Sequence, residues 1–289
     1  MLALVGCTGS RTAAPPTTTT TTTTVAPSTT STTAATTTPV ALDADVAALP
    51  DGHGAKIAVV VDDAGGVDTY LADYLKLPIT ISIIPLAPHA HDDDAAAHAA
   101  GRDVMLHIPL ANRSGKGGTP PGGLSVGTPA DEVDRFVAEA VTRVPHAVGA
   151  NNHEGPLGSS TPALMTALLT SLKQRSLFFM DSVTSQRTVG FALTTQMGMP
   201  PRINNVFLDH FETDADSRRA LLDLARIAAT SPTKGAIGIC HVFHPYLARA
   251  LTALQAQLAS KGYVFAPISD VTDAPAPTGL DKGVRTSLT

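Results

Sequence analysis

The chain of 289 residues contains no tryptophan, and aromatic residues make up only 4% of it. That scarcity argues against an extended sugar-stacking platform. Cysteine is almost as rare. Cys7 lies in the N-terminal tail and Cys240 in an apolar stretch, so a disulfide framework is ruled out. No apolar run is long enough to span a membrane. Lysine and arginine are not clustered, and the formal net charge is −5. That pattern argues against nucleic acid as a partner.

What is present divides the chain. Residues 8–50 include the stretch RTAAPPTTTTTTTTVAPSTTSTTAATTTP. Such Thr/Pro/Ala low complexity cannot bury a core and predicts a disordered linker. Ahead of it, residues 1–7 end in Leu4-Val5-Gly6-Cys7, which resembles the cleavage and lipidation box of a bacterial lipoprotein signal. The resemblance implies a lipid on Cys7. It also implies an exported domain tethered to the outer face of the cytoplasmic membrane. The folded domain is expected over 51–275, followed by a flexible tail at 276–289. Apolar content of 43% allows it a substantial core.

Within the domain, short apolar runs alternate with longer amphipathic ones. KIAVVVD, ITISIIP, DVMLHIP, HAVGAN, SLFFMD, NVFLD, GAIGIC and YVFAPI read as strands. TPADEVDRFVAEAVTRV, STPALMTALLTSLKQR, DADSRRALLDLARIAAT and PYLARALTALQAQLASKG read as helices, opening on cap-forming residues or proline. Continuous apolar strands separated by helices predict a parallel, helix-covered α/β sheet or barrel. The Gly/Pro-rich stretch 112–129 predicts a long loop.

In parallel α/β folds, ligands bind at the carboxyl ends of the strands. Here the first strand ends in Asp62-Asp63 and the third carries His107. The fourth ends in Asn151-Asn152-His153-Glu154 and the fifth in Asp181-Ser182. The sixth ends in Asp209-His210 and the seventh in His241. Alone, each residue is more often a cap or a structural hydrogen-bond partner. Six such strand ends together predict a site. Aspartate with two or three histidines suits zinc or a similar divalent ion. In that setting one carboxylate of the adjacent pair binds the cation and the other serves as general base. Cys240 reads as packing rather than nucleophile. His89, His91 and His98, with the aspartates at 92–94, read as a solvated helix start rather than a second metal site.

From 56 to about 271 the chain resembles the divergent polysaccharide deacetylases, a bacterial branch of the carbohydrate esterase superfamily. The segments that carry the likeness are, in order, VVVDDAG, LPITISIIPLAPHA, GRDVMLHIPL, VPHAVGANNHEG, LFFMDSVTS, NVFLD and GAIGICHVFHP. The resemblance implies a distorted seven-stranded β/α barrel and a divalent metal, most simply Zn. It implies hydrolysis of N- or O-acetyl groups on a cell-wall or exported polysaccharide. Mapped residue by residue, it makes Asp62 the base and Asp63, His107 and His153 the metal ligands. His241 becomes the acid for the leaving group, and Asp181 a residue that orients such groups. Asn152, Ser182, Asp209 and His244 are expected close by.

This chain also departs from the family pattern. The motif of two histidines four residues apart is absent. Glu154-Gly155-Pro156 replaces Met-Gly-Ser, which adds a carboxylate near the expected metal. Cys240-His241-Val242 replaces Gly-His-Pro, with His244-Pro245 just after, and Val183 replaces a basic residue. Two other functions stay open on sequence alone. One is a non-catalytic glycan- or partner-binding barrel. The other is a metal hydrolase of a different amide.

Overall fold

The computed structural model describes residues 43–272, except 68–69, 113–117 and 232–234. Cys7 and the expected tail at 276–289 lie outside the described residues. Residues 43–50, expected in the linker, are folded. Helix α1 (Ala44–Ala47) buries Val46 and is followed by the buried Leu49, and Arg218 pairs with Asp43 and Asp45. A four-residue helix is too short to give a periodic signal, which is why the sequence boundary falls late.

The strands are β1 (Lys56–Ala64), β2 (Thr80–Ile83), β3 (Asp103–Leu110), β4 (Ala147–Glu154) and β5 (Phe178–Asp181), then β6 (Arg202–Ile203), β7 (Val206–Phe207), β8 (Ala236–His241) and β9 (Val264–Phe265). The helices after α1 are α2 (Leu71–Tyr74), α3 (Ala90–Ala99), α4 (Ala130–Arg143), α5 (Pro162–Gln174), α6 (Gly190–Gln196), α7 (Asp214–Thr230) and α8 (Tyr246–Ser260). All the pairings are parallel, in the order β6-β5-β4-β3-β2-β1-β8-β7, with β9 beside the start of β1.

The path has eight strands where seven are expected. The reason lies at Asn204-Asn205. The Asn204 N–H donates to Asp181 O and the Asn205 N–H to Ile237 O, both at 2.8 Å. Consecutive amides of an extended chain point to opposite sides. The chain therefore leaves β5 and joins β8 within one peptide unit. Segments β6 and β7 share a single stave, and the sheet is a distorted barrel.

The sheet is covered on both faces, so β1 and β3 read as near-continuous apolar runs. Helices α4, α5, α7 and α8 cover the outside. Helix α7 opens on Thr213, whose Oγ1 accepts from the Asp216 N–H at 3.1 Å. Helix α8 turns Leu247, Leu251, Leu254 and Leu258 onto the sheet.

The barrel interior holds a smaller apolar cluster that includes Ala58, Val60, Met105, Met180, Ile237 and Ile239. Ala266, Ile268 and Val271 join it from the C-terminal segment and fill the base. Arg202 fastens that segment, donating from Nε to Ile268 O at 3.1 Å and from a terminal nitrogen to Ser269 O at 2.9 Å.

Candidate metal centre

Strand side chains alternate faces, so the inward columns continue past the apolar plug toward the C-terminal ends. Ala58 and Val60 lead to Asp62. Met105 leads to His107, and Gly149 to Asn151 and His153. Met180 leads to Ser182, and Ile237 and Ile239 lead to His241. Each column changes from apolar to polar at the same height. Register confirms the level, for His107 pairs with Asn151 and Asp62 with His241.

Asp63 has the wrong parity for this site, since its neighbour Asp62 already points inward. The register of β1 on β2 shifts between Val61 and Ala64, and Asp63 has φ +68°. A bulge re-aims a side chain in this way. It brings two consecutive carboxylates into one site.

Asp63 Oδ1 lies 2.7 Å from His153 Nδ1 and 3.0 Å from His107 Nε2, and those two nitrogens are 3.2 Å apart. Although Asp63 Oδ1 is buried, neither ring aims an N–H at it with hydrogen-bond geometry. Three lone-pair atoms this close repel one another unless a proton or cation lies among them. The set of one carboxylate oxygen and two imidazole nitrogens fits a divalent metal.

Asn151 orders the groups behind the triad. Its Oδ1 accepts from Ser82 Oγ at 2.6 Å and from His107 Nδ1 at 2.8 Å. With its proton on Nδ1, His107 presents a lone pair at Nε2, the tautomer a metal needs. The Asn151 Nδ2 donates to both oxygens of Asp62, at 2.9 and 3.1 Å. Asp62 Oδ2 stands 3.7 Å from His107 Nε2, beside the triad but outside it.

The electrostatics follow from burial and neighbours. Burial pushes the Asp62 carboxyl up, against the pull of His107 and His241. Burial also works upward on Asp63, yet the rings of His107 and His153 together hold it well below the usual carboxylate range. Burial alone would lower His107, but Asp62 and Asp63 outweigh it and raise that ring. His241 is raised to about 9, because Asp209, followed by Asp62 and Asp63, overcomes the cost of burial. Asp209 touches both Nδ1 of His241, at 3.1 Å, and its backbone N–H, at 2.7 Å.

The remaining expected residues divide. Asn152 and Ser182 line the cavity and bind each other, the Ser182 N–H donating to Asn152 Oδ1 at 3.1 Å. His244 also lines it, with Nε2 3.7 Å from Glu212. Glu154 stands at the rim. It is held by the Asn112 side chain, with Oε1 4.0 Å from His153 Nε2.

Asp181 takes a different place from the one expected. It is fully buried but faces away from the barrel, binding Thr188 Oγ1 at 2.7 Å and the N–H groups of Val183 and Phe191 at 2.9 and 3.0 Å. Parity explains this, because Met180 and Ser182 point inward and Asp181 cannot. The helix start at 92–94 is only partly solvated. Asp94 is buried and holds His146 at 2.7 Å, and His98 stacks on that ring. Cys240 is buried against Tyr74, and burial pushes its thiol up, as expected of packing.

Four backbone positions at the mouth are left-handed without being glycine: Asp63, Glu154, Val183 and Glu212. Such strain gathers at functional sites.

A parallel barrel with a cluster of one aspartate and two histidines at its open end defines the class: an α/β barrel with a candidate metal site. Within it, the family model for divergent polysaccharide deacetylases matches residues 59–272, and the chain belongs to that family. It is 35% identical over 167 residues to an uncharacterized protein of Haemophilus influenzae, covering 57% of this chain and 59% of that one. It is 34% identical over 176 residues to the uncharacterized protein YibQ of Escherichia coli, covering 59% and 55%. The chain thus spans little more than half the length of these relatives. The solved structure of uncharacterized protein ATU2773 from Agrobacterium tumefaciens superposes with a TM-score of 0.70 at 22% identity, over 75% of this chain and 89% of that one. That likeness concerns the fold.

Proposed function

We propose that the barrel is a metal-dependent hydrolase that removes acetyl groups from a cell-wall or exported polysaccharide. The observation that carries this reading is the triad of Asp63, His107 and His153, with the buried Asp63 Oδ1 lacking an aligned hydrogen bond. Those three residues would hold the ion, and their nitrogen and oxygen donors suit zinc. A bound divalent ion would polarise the acetyl carbonyl and acidify a water.

The chain's own residues supply the rest. Asp62, steadied by Asn151, takes the proton of the attacking water on a carboxylate oxygen. The water oxygen bonds to the acetyl carbon. The C–N or C–O bond to the sugar then breaks, and acetate departs. His241 gives its proton to the leaving nitrogen or oxygen from Nε2, because Asp209 occupies Nδ1.

The test is elemental analysis beside acetate release. Wild type is expected to hold about one equivalent of metal per chain and to liberate acetate from acetylated hexosamine oligomers. Asp63→Ala and His153→Ala should lose both. A folded wild type that takes up no metal, even when supplied with zinc, would sink the hydrolase reading.

A further inference from the structure

The cavity, of about 390 Å³, is lined by polar and aromatic side chains together. Asn152, Ser182 and Thr184 line it at the ends of β4 and β5. Phe207 and Phe243 line it at the ends of β7 and β8. Phe243 is 49% exposed although its side chain is wholly apolar. Its ring lies 11° from parallel to His241, with centroids 5.7 Å apart. It meets His244 edge to face at 5.2 Å, and His244 in turn stacks on Tyr246 at 5.7 Å. A row of rings therefore leads outward from His241.

In the same cavity, Ser182 is 1% exposed and its Oγ has no hydrogen-bond partner. Buried hydroxyls are normally paired, so an unpaired one lining a cavity points to the polar group of a ligand. An exposed aromatic ring and an unpaired hydroxyl in one cavity match a pyranose ring. Such a sugar has a C–H face for an aromatic ring and an edge of hydroxyls for polar side chains.

We propose that Phe243 is the platform of a sugar subsite beside the metal triad, with Ser182 holding a polar group of the same sugar chain from the lining of the same cavity. The proposal rests on the glycan reading above and adds the residues that recognise the chain. The scarcity of aromatics argues against an extended platform, but one well-placed ring suffices for one sugar.

The absence of tryptophan supplies the test, because in Phe243→Trp the new indole is the sole tryptophan fluorophore. The metal-supplied full chain is titrated with glucosamine oligomers of one to five units, by calorimetry for wild type, Phe243→Ala and Ser182→Ala, and by both calorimetry and fluorescence for Phe243→Trp. In wild type, affinity is expected to rise from one to three units. Phe243→Ala should weaken the trimer about five- to tenfold. Phe243→Trp should restore it, with an emission shift that saturates along the calorimetric curve. Ser182→Ala should weaken it several-fold. Binding of the trimer by a folded Phe243→Ala protein as tightly as by wild type overturns the proposal. So does an indole that no oligomer perturbs, or a wild type that binds none of the oligomers at millimolar concentration. Acetate release from N-acetylated oligomers is read separately. Its absence, with Phe243-dependent binding intact, removes the hydrolase and leaves the subsite standing.

Discussion

Asn151 joins the expected base to the expected metal site, since one amide serves both Asp62 and His107. Asn151→Ala would leave two buried ionisable groups and Ser82 without their partner. The expected cost is about 2–4 kcal/mol, read as a fall in melting temperature. Metal affinity should drop about 10- to 100-fold in a competition titration, because the His107 tautomer is released. The sequence offers two adjacent asparagines and nothing to choose between them. Only strand parity, together with the register that sets Asn151 opposite His107, makes the choice.

Asp209 offers a second residue-scale test. Its contact raises His241 to about 9, above its ordinary 6.5. A group raised in the folded state stabilises fully below its unfolded value and loses that contribution as pH rises through the folded one. Metal-stripped wild type should therefore lose several degrees of melting temperature between about pH 7 and 10. Asp209→Asn should begin lower and show a shallower decline, because Asp62 and Asp63 still act on His241.

At the scale of elements, alternation explains both what could be read and what could not. Apolar runs locate the strands, and the polar residue closing each run marks the open end. Counting strand ends without parity, however, admits Asp181 to the site. Its carboxylate instead ties Thr188 and the start of α6 to β5. Asp181→Ala should lower the melting temperature, at a cost of about 2–4 kcal/mol, yet keep its full equivalent of metal by elemental analysis. Loss of metal in a folded Asp181→Ala protein would restore it to the site. The bulge in β1 errs in the opposite direction. Alternation alone would turn Asp63 outward, and the shift between Val61 and Ala64 was not legible because no glycine or proline marks it.

For the whole molecule, the parallel strands and the covering helices follow from the alternating pattern. The closure at Asn204-Asn205 does not, because a stave split between two neighbours leaves each half only two residues long. The N-terminal segment lies outside the described residues. Export and lipidation at Cys7 remain our proposal, based on the residues at 4–7 and the threonine-rich stretch after them. The expected outcome is that wild type sediments with membranes and incorporates labelled fatty acid, and that Cys7→Ser does neither. Wild-type protein free of label would remove the anchor without touching the barrel.

The filled base of the barrel bears on traffic through the site. Ile268 and Val271 close the end opposite the mouth, so the chamber is a cul-de-sac. On the proposed reading, a polymer could not be threaded through it and would lie across the opening, dipping one substituent at a time. On the proposed reading, acetate formed beneath the polymer has no rear exit. It leaves only when the chain lying over it slides or lifts, and turnover on long chains would then be paced by that displacement.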